Sequence, residues 1–219
     1  MKIVVDWFRI GLDSNFHGLE EYARILEDQI ERLTNAERLR IRRASHADEA
    51  EWQIAWDEHR WLFEMVLPRT LRYSCIVSLF TTLETAMNSL CQELRSRKGL
   101  RLSVRELKAE PFERTLIYIK KVAGIDIPDH PFTVALQSLN KVRNCIVHTG
   151  GNLEEYSDPK GIKQHVGKLE GLSVSHNGYI EVSKGTCQEL VQSAYKWIDC
   201  LCEACGLGRK SPDVGRGSP

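Results

Sequence analysis

The residues best suited to chemistry lie in one stretch, residues 139–151. Its polar side chains Asn140, Asn144 and His148 follow one another at intervals of four residues, and Arg143 directly precedes the second of them. On an α-helix, side chains four residues apart lie above one another on the same side. His148 supplies a titratable ring, Arg143 a planar permanent cation, and the two asparagines supply amides. Such groups can hold a phosphodiester, stabilise its developing charge and transfer a proton.

The residues around this polar row predict the helix that must carry it. Apolar side chains recur at helical spacing through the stretch, at Phe132, Ala135, Leu136, Leu139, Val142 and Ile146. Pro131 suits a first helical turn, Asp129 can cap it, and the Gly150-Gly151 pair can supply the left-handed residue that ends it. Five residues rotate a helix by about 500°, so Arg143 and His148 point roughly 140° apart. The long arginine side chain can still curl towards the groove that the histidine borders.

This helix end resembles the signature of the HEPN superfamily (higher eukaryotes and prokaryotes nucleotide-binding domains). The resemblance rests on Arg143, Asn144, three intervening residues and His148, followed by a threonine and two glycines. Proteins of that superfamily are small α-helical bundles, and many are metal-independent endoribonucleases. The resemblance therefore implies an all-α bundle in which Arg143, Asn144 and His148 are the catalytic residues, with no metal ion and no other cofactor.

The resemblance also implies a mechanism and partners. His148 would act as general acid or base on the ribose 2′-hydroxyl or the leaving 5′-oxygen, Arg143 would stabilise the pentacovalent phosphate, and Asn144 would position a phosphate oxygen or fix the histidine ring. The active unit would be a homodimer that cleaves RNA as a toxin or phage-defence nuclease, restrained by a cognate antitoxin. The alternative is a catalytically silent helical interaction or nucleotide-binding module, in which Arg143 forms a salt bridge and His148 caps the helix end.

A second helix, predicted from Arg69 to Arg97, is apolar around nearly its whole circumference. Such a helix lies inside a bundle or at an oligomer interface, and its apolar faces exceed what one small bundle is expected to cover, which predicts a dimer. Its polar exceptions are Glu84 and Asn88. A buried glutamate needs a partner, and Arg143 is the obvious cation if the two helices are adjacent. Glu84 and Asn140 are thus candidates for binding substrate or orienting the catalytic group; otherwise Glu84 forms a structural salt bridge.

Composition and charge limit the classes of protein to which this chain can belong. The chain has 219 residues, 42% of them hydrophobic, and thirty basic residues balance thirty acidic ones. A neutral chain has no overall field to attract nucleic acid, so an RNA-binding site must be a local patch. No apolar run is long enough to cross a bilayer, and the amino terminus lacks a signal-peptide pattern. These features predict a cytoplasmic protein with no membrane partner.

Two kinds of local feature could contact RNA, and each has a plainer interpretation. Basic runs occur at residues 38–43 and 95–105; each is either a phosphate-contacting edge or an ordinary solvated segment. An aromatic stripe, formed by Trp52, Trp56 and Phe63, has helical spacing. It could stack bases, but such a stripe is more typical of helix packing.

Seven cysteines lie mostly within helical apolar patterns, as buried free thiols do. The exception is the cluster Cys200, Cys202 and Cys205, which could offer thiolates to a metal ion. Cys200 and Cys202 diverge on a helix, however, and no nearby residue supplies an obvious fourth ligand. We therefore predict no metal site here.

The remaining patterns predict the domain boundaries. Residues 1–17 are expected to form an N-terminal arm, residues 18–206 one HEPN-like helical domain, and residues 207–219 a disordered tail. Nearly every apolar run has a period near 3.6 residues, which predicts an all-α fold. Pro68 is expected to close the segment that carries the aromatic stripe, and residues 152–168 are expected to form a polar loop.

One short segment departs from the helical pattern, just before the last helix. Residues 172–182 are predicted to form a small hairpin with a three-residue loop, because that length pairs Val174 with Ile180 and places the apolar pairs on one face. Gly178 then takes the left-handed position of a bulge. Thr186 and Glu189 have the spacing of a capping box for the final helix.

Overall fold

The computed structural model describes residues 6–45 and 48–208. Within them the chain forms the helices α1 (Trp7–Ala44), α2 (Glu49–Arg60), α3 (Leu67–Lys98), α4 (Pro111–Ile117), α5 (Pro131–Thr149), α6 (Pro159–Val166) and α7 (Thr186–Ala204). The short strands β1 (Leu172–Val174) and β2 (Ile180–Val182) form an antiparallel hairpin directly before α7. The predicted class, an all-α fold with a small hairpin before the last helix, is confirmed.

Helix α3 is the centre of the bundle. Its apolar side chains are largely buried, among them Phe80, Leu83, Met87 and Leu90, and its exposed positions carry polar residues such as Thr81 and Thr85. Helices α1, α4, α5 and α7 all pack against it. The bundle therefore covers the apolar circumference of α3 by itself, and the argument that this helix needs a second copy of the chain is wrong. Whether the protein dimerises through another surface stays a prediction.

Helix α1 begins well inside the segment expected to be an arm. The carboxylate of Asp6 accepts a hydrogen bond from the Arg9 amide at 3.1 Å and so caps a helix that starts at Trp7 rather than at Gly18. The sequence in between carries glycine and turn-forming residues, but Leu12 and Phe16 lie four residues apart and both are buried against the core. Tertiary burial outweighs the weak local helix propensity. Residues 1–5 of the predicted arm lie outside the described residues.

The chain does not break at Pro68. A widened, π-helical turn at Trp61–Val66 joins α2 to α3, and the Leu67 amide donates to the carbonyl of Leu62, five residues back. A proline clashes with the carbonyl four residues before it in a regular helix. The widened turn relieves that clash, so Pro68 occupies the first turn of α3 instead of ending the preceding segment.

The aromatic stripe packs between helices, as its spacing predicted. Trp56 is buried, and the Arg38 guanidinium lies 4.8 Å from the centre of its ring. Arg42 lies 5.5 Å from the Trp52 ring in the same way. The stripe thus attaches α2 to the second half of α1, and arginine guanidinium groups from α1 lie over two of its rings.

The segment expected to be a polar loop contains α6. Asp158 caps this helix by accepting from the Gly161 amide at 2.9 Å, and Pro159 begins it. Ile162 and Val166, four residues apart, are both buried. A helix of this length offers only one apolar turn to the core, which is too few residues for helical periodicity to be visible in the sequence.

The hairpin has the predicted register. Val174 pairs with Ile180 and Leu172 with Val182, and the closing bond from the Ser175 amide to the Tyr179 carbonyl leaves a three-residue loop. Gly178 has φ of 78°, in the left-handed region.

The predicted capping box of α7 does not form, and the packed chain runs past the predicted start of the tail. Gly185, with φ of 85°, is the residue that precedes α7, and Thr186 is buried with its hydroxyl directed at the Gly171 carbonyl, 3.4 Å away, so no capping box forms. Beyond α7, Leu207 is buried and its amide donates to the Cys202 carbonyl at 2.8 Å. The packed chain therefore extends past residue 206, and residues 209–219 of the predicted tail lie outside the described residues.

Candidate functional site

The helix that carries the polar row is α5, and local sequence sets both of its ends. His130 caps it in place of the predicted Asp129, because the His130 ring nitrogen Nδ1 accepts from the Phe132 amide at 3.1 Å. Pro131 stands in the first turn as predicted. The helix ends where Gly150 adopts φ of 60°, followed by Gly151 at 81°. The glycine stop in the sequence therefore marks the helix end correctly.

Three elements meet directly after this helix end. Gly151 lies against Tyr73 of α3 so closely that a Cβ atom on it would be 2.2 Å from the tyrosine hydroxyl oxygen. That hydroxyl donates to the Ile180 carbonyl of β2 at 2.5 Å, and the Ile180 amide donates to the Gly151 carbonyl at 3.0 Å. The end of α5 is thus fixed to both α3 and the hairpin.

Arg143 lies between α5 and α3, where Glu84 was predicted to meet it. Its Nη2 atom is 3.8 Å from Glu84 Oε2, and its Nη1 donates to Asn144 Oδ1 at 2.9 Å. The guanidinium carbon lies 5.5 Å from the centre of the Phe80 ring. The side chains of Arg143 and Glu84 are 26% and 25% exposed. The predicted neighbourhood of Arg143 and Glu84 is therefore present, and Asn144 joins it.

The Arg143 guanidinium retains unused hydrogen-bonding capacity. Its Nε atom is buried and has no hydrogen-bond partner within the described ranges. The separation from Glu84 exceeds that of a direct charge-assisted hydrogen bond. A cation held by a ring face, an amide oxygen and a distant carboxylate is oriented but keeps donors for an anion.

His148 and Asn140 stand apart from this group. The His148 ring is exposed in the last turn of α5. Neither this ring nor the side-chain amide of Asn140 forms a hydrogen bond with any residue of the described ranges. The helix end is instead closed by backbone, through the Gly150 amide and the Cys145 carbonyl. His148 therefore does not cap the helix, and within one chain the structure brings Arg143, Asn144 and Glu84 together without His148 or Asn140.

No residue of the polar row lines any of five cavities found among the described residues. These cavities have volumes of about 190 to 640 Å³ and are lined by residues of other surfaces. His148 is exposed outside them, so a substrate contacting it there would need further walls.

The two basic runs differ in how far carboxylates neutralise them. In the first, Arg38 pairs with Glu64, and Arg40 and Arg42 also have carboxylate partners, so the solvated-segment interpretation is the better one. In the second, Arg97 pairs with Glu93 and Asp6, whereas Arg95 and Lys98 donate to backbone carbonyls. Both interpretations of the second run therefore stay open.

Sequence reasoning missed Tyr73 and Phe80 as supports of the motif. Phe80 follows Tyr73 by seven residues, and Glu84 follows Phe80 by four. This spacing places the three on one stripe of α3. The signal was therefore present, but it is hidden in a helix that is apolar on all sides.

Of the carboxy-terminal cysteines, Cys202 and Cys205 are buried thiols and Cys200 is half-buried. Burial raises the pKa of Cys202 to about 12 and that of Cys205 to about 11. Throughout residues 6–45 and 48–208, no three His, Cys, Asp or Glu side chains are grouped as metal ligands would be. The cluster is explained by packing.

Comparison with protein-family models, with curated proteins and with solved structures finds no match for this chain. In the described residues, no helix combines the length and the apolar character needed to span a membrane.

Proposed function

We propose that this chain is a HEPN-type, metal-independent endoribonuclease in which Arg143 and His148 carry the chemistry. One observation supports this most strongly: the last two turns of α5 carry an oriented guanidinium whose Nη2 atom makes no hydrogen bond within the described residues and, five residues later, an exposed imidazole. Stabilising a phosphorane and moving a proton require those two groups. A role in toxin–antitoxin or phage-defence systems, with a cognate antitoxin, belongs to the same proposal.

The proposed reaction is attack of a ribose 2′-hydroxyl on the adjacent phosphorus. His148 removes the proton from that hydroxyl or delivers one to the departing 5′-oxygen, and the products are a cyclic phosphate and a free 5′-hydroxyl. Arg143 holds two phosphate oxygens with its planar fork as charge develops. Glu84 and Asn144 position the guanidinium, and Asn140, on the same side of α5, is placed to contact the strand.

The test incubates purified protein with a mixed pool of single-stranded RNA and maps the ends of the products. His148→Ala is expected to abolish cleavage without unfolding the protein, because the ring makes no hydrogen bond and is exposed. Cleavage is expected to persist in excess EDTA, with cyclic phosphate ends. The matched control is Lys141→Ala, which removes an exposed side chain from the same helix two turns earlier.

Two results would contradict the proposal. Equal cleavage by wild type and His148→Ala would show that another group or a contaminant does the chemistry. Cleavage that stops in EDTA would indicate a metal-dependent reaction instead.

A non-enzymatic interaction module is the second candidate, and one observation favours it. Every contact that Arg143 makes, with Glu84, Asn144 and Phe80, also joins α5 to α3 or stiffens α5. Under this alternative, Arg143→Ala lowers the free energy of unfolding by about 1 to 3 kcal/mol and no RNA cleavage is observed in any variant.

A further inference from the structure

A groove of about 350 Å³ runs between the start of α3 and the hairpin, away from the polar row of α5. Its walls combine two aromatic side chains, Trp61 and Tyr179, with Arg69 and with the hydroxyl and amide groups of Ser175 and Asn177. Neither basic run contributes to it. The groove was not visible from the sequence because its walls come from segments more than a hundred residues apart.

Its aromatic groups are arranged to receive flat rings. Trp61 is 66% exposed although it lies in a helical turn that could have faced the core. The Arg69 guanidinium lies 4.2 Å from the centre of the Tyr179 ring, a distance at which a cation contacts an aromatic face. Both an indole and a stacked guanidinium plane are platforms on which nucleobases stack.

The charges in the groove leave Arg69 as its available cation. Glu64 is held by Arg38 at 2.6 Å and by Arg60 at 2.8 Å. Arg72 is held by both carboxylate oxygens of Glu27 at 2.8 Å. In the part of the chain that the structure describes, Arg69 has no carboxylate within salt-bridge distance, and the remaining carboxylate of the groove, Glu181, accepts a hydrogen bond from Ser173 at 3.3 Å. Binding there would depend on stacking more than on net charge.

Tyr179 links the groove to the segment that follows the motif helix, although no residue of α5 lines the groove. Arg143 contacts Phe80 while Gly151 contacts Tyr73, so α5 runs antiparallel to α3 and His148 lies beside the part of α3 between those two residues. Arg69 is one turn before Tyr73, which puts it about 11 Å along the α3 axis from the level of His148. Asn152, four residues after His148, forms a backbone bridge with Tyr179 itself.

We propose that this groove binds the bases of single-stranded RNA next to the phosphate that Arg143 and His148 act on. One base stacks on Trp61 and a neighbouring one on the guanidinium plane of Arg69, while Asn177 and Ser175 offer hydrogen bonds to base edges. The inference rests on the proposed nuclease function, since it names where the substrate strand runs. It also explains how a chain with no net charge could hold RNA.

The test measures binding rather than cleavage. The probe is a short fluorescein-labelled single-stranded RNA of mixed sequence whose riboses are 2′-O-methylated, so that the 2′-oxygen cannot attack. Fluorescence anisotropy is expected to show binding that is weakened roughly 5- to 100-fold by Trp61→Ala and similarly by Arg69→Gln, in keeping with the loss of one stacked base. Trp61→Phe is expected to retain most of the affinity. The dependence on salt should be shallow, with a slope near that of one phosphate contact, about −0.7.

The matched control is Trp7→Ala, which removes a tryptophan that is 76% exposed on α1, far along the chain from the groove. It is expected to leave the affinity unchanged, and circular dichroism and thermal unfolding verify that each variant is folded.

The outcomes separate this inference from the proposed function. If Trp61→Ala and Arg69→Gln bind as tightly as Trp7→Ala, or if the wild-type protein does not bind the probe, the groove is not an RNA subsite, and a protein partner becomes its better occupant. If those two variants lose binding while His148→Ala still cleaves unmodified RNA, the groove is supported as an RNA-binding site and the catalytic role of His148 is contradicted.

Discussion

At the level of single residues, Arg143 differs from an ordinary structural arginine in how its donors are used. A structural arginine at a helix interface usually donates hydrogen bonds to a close carboxylate. Here Glu84 lies 3.8 Å from Arg143 Nη2, and Nη1 donates only to the neighbouring Asn144. Phe80 holds the guanidinium plane from one side. These contacts orient the Arg143 guanidinium without neutralising its positive charge. A phosphate-binding arginine requires that combination.

Arg143→Lys tests that interpretation. Lysine keeps the charge but loses the fork that grips two phosphate oxygens, so cleavage of RNA is expected to fall about 100- to 1000-fold. Its ammonium can still reach Glu84, so thermal unfolding is expected to change little. The measurement is the initial rate of cleavage of single-stranded RNA at saturating enzyme. A rate close to that of wild type would mean that charge alone matters at this position.

Glu84→Gln tests whether that carboxylate positions the arginine. The amide keeps the size of the side chain and removes its charge, so Arg143 loses a weak electrostatic restraint but not its contacts with Phe80 and Asn144. We expect a fall in cleavage rate of about tenfold, smaller than the loss in Arg143→Lys. A loss of stability with an unchanged rate would mark Glu84 as purely structural.

His165 gives a pH dependence to stability. Burial, with Lys168 and Lys141 nearby, lowers the pKa of His165 below its usual value, and its ring lies 3.1 Å from the buried Ser138 hydroxyl. The unfolded chain therefore binds a proton more readily than the folded one. The free energy of unfolding is expected to fall as the pH drops below about 6.5 and through the lower pKa of the folded state.

Urea unfolding at neutral and mildly acidic pH measures this difference. His165→Asn is expected to reduce the loss of stability on acidification, because the titrating ring is gone. His176→Asn, an exposed position in the hairpin loop, is the matched control. An unchanged acid sensitivity in His165→Asn would assign the effect to other groups.

At the level of elements, two adjacent glycines end α5 for different reasons. Gly150 has φ of 60° and open space around a Cβ, whereas Gly151 has φ of 81° and a Cβ there would overlap the Tyr73 hydroxyl. Gly150→Ala is therefore expected to cost about 1 kcal/mol, from backbone strain alone. Gly151→Ala is expected to cost about 3 kcal/mol or more, since Tyr73 must move and release the Ile180 carbonyl.

Urea or thermal unfolding of the two variants provides the comparison, with Gly150→Ala as the internal control for the strain of a left-handed residue. Tyr73→Phe, which keeps the ring and removes the hydroxyl, should partly relieve Gly151→Ala when the two are combined. An equal fall in the free energy of unfolding of both glycine variants would mean that the close contact between Gly151 and Tyr73 does not affect stability.

The sequence predicted elements wherever a long periodic run or a glycine stop defined them. The extent of α3, the end of α5 at Gly150 and the register of the hairpin were all visible, because each depends on local spacing. The meeting of Glu84 with Arg143 was also predictable, because a half-buried carboxylate on an apolar helix restricts the choice of partner.

Elements governed by distant contacts were mispredicted. The first turns of α1 form despite glycine and asparagine because Phe16 packs against Tyr195, with ring centroids 5.4 Å apart. Pro68 continues a helix because a widened turn precedes it. Thr186 is directed at Gly171 rather than at the start of its own helix. Tyr195 and Gly171 lie far in sequence from Phe16 and Thr186, so local rules could not identify these two contacts. The widened turn is adjacent to Pro68, but residue spacing alone does not distinguish it from a regular helical turn.

At the level of the whole molecule, the reason to expect a dimer moves from α3 to α5. The bundle buries the apolar side chains of α3, but α5 leaves Val147 50% exposed next to His148, and Val134 is exposed on the same helix. None of the five cavities described above includes His148, so a cleft around a bound phosphate needs walls from elsewhere. A second copy that meets the first along α5 would supply them, together with a second Arg143 and His148.

This arrangement makes a testable prediction about mass and activity together. Multi-angle light scattering at micromolar concentration is expected to give twice the chain mass of 25.1 kDa. Val147→Glu places a charge in the α5 surface and is expected to yield monomers that no longer cleave RNA, because two carboxylates would face each other across an isologous contact. Ile54→Glu, at an equally apolar and exposed position on α2, is the matched control and should change neither quantity.

A mixture of variants then asks whether the two chains share one site. His148→Ala and Arg143→Ala are each expected to be inactive, but if each cleft takes its arginine and its histidine from different copies, a heterodimer of the two variants contains one cleft with both groups intact. Refolding them together should therefore restore up to about a quarter of the wild-type rate, since half of the dimers are mixed and each has one complete cleft of two. A wild-type protein that cleaves RNA as a monomer would contradict the shared site, because each chain would then suffice alone.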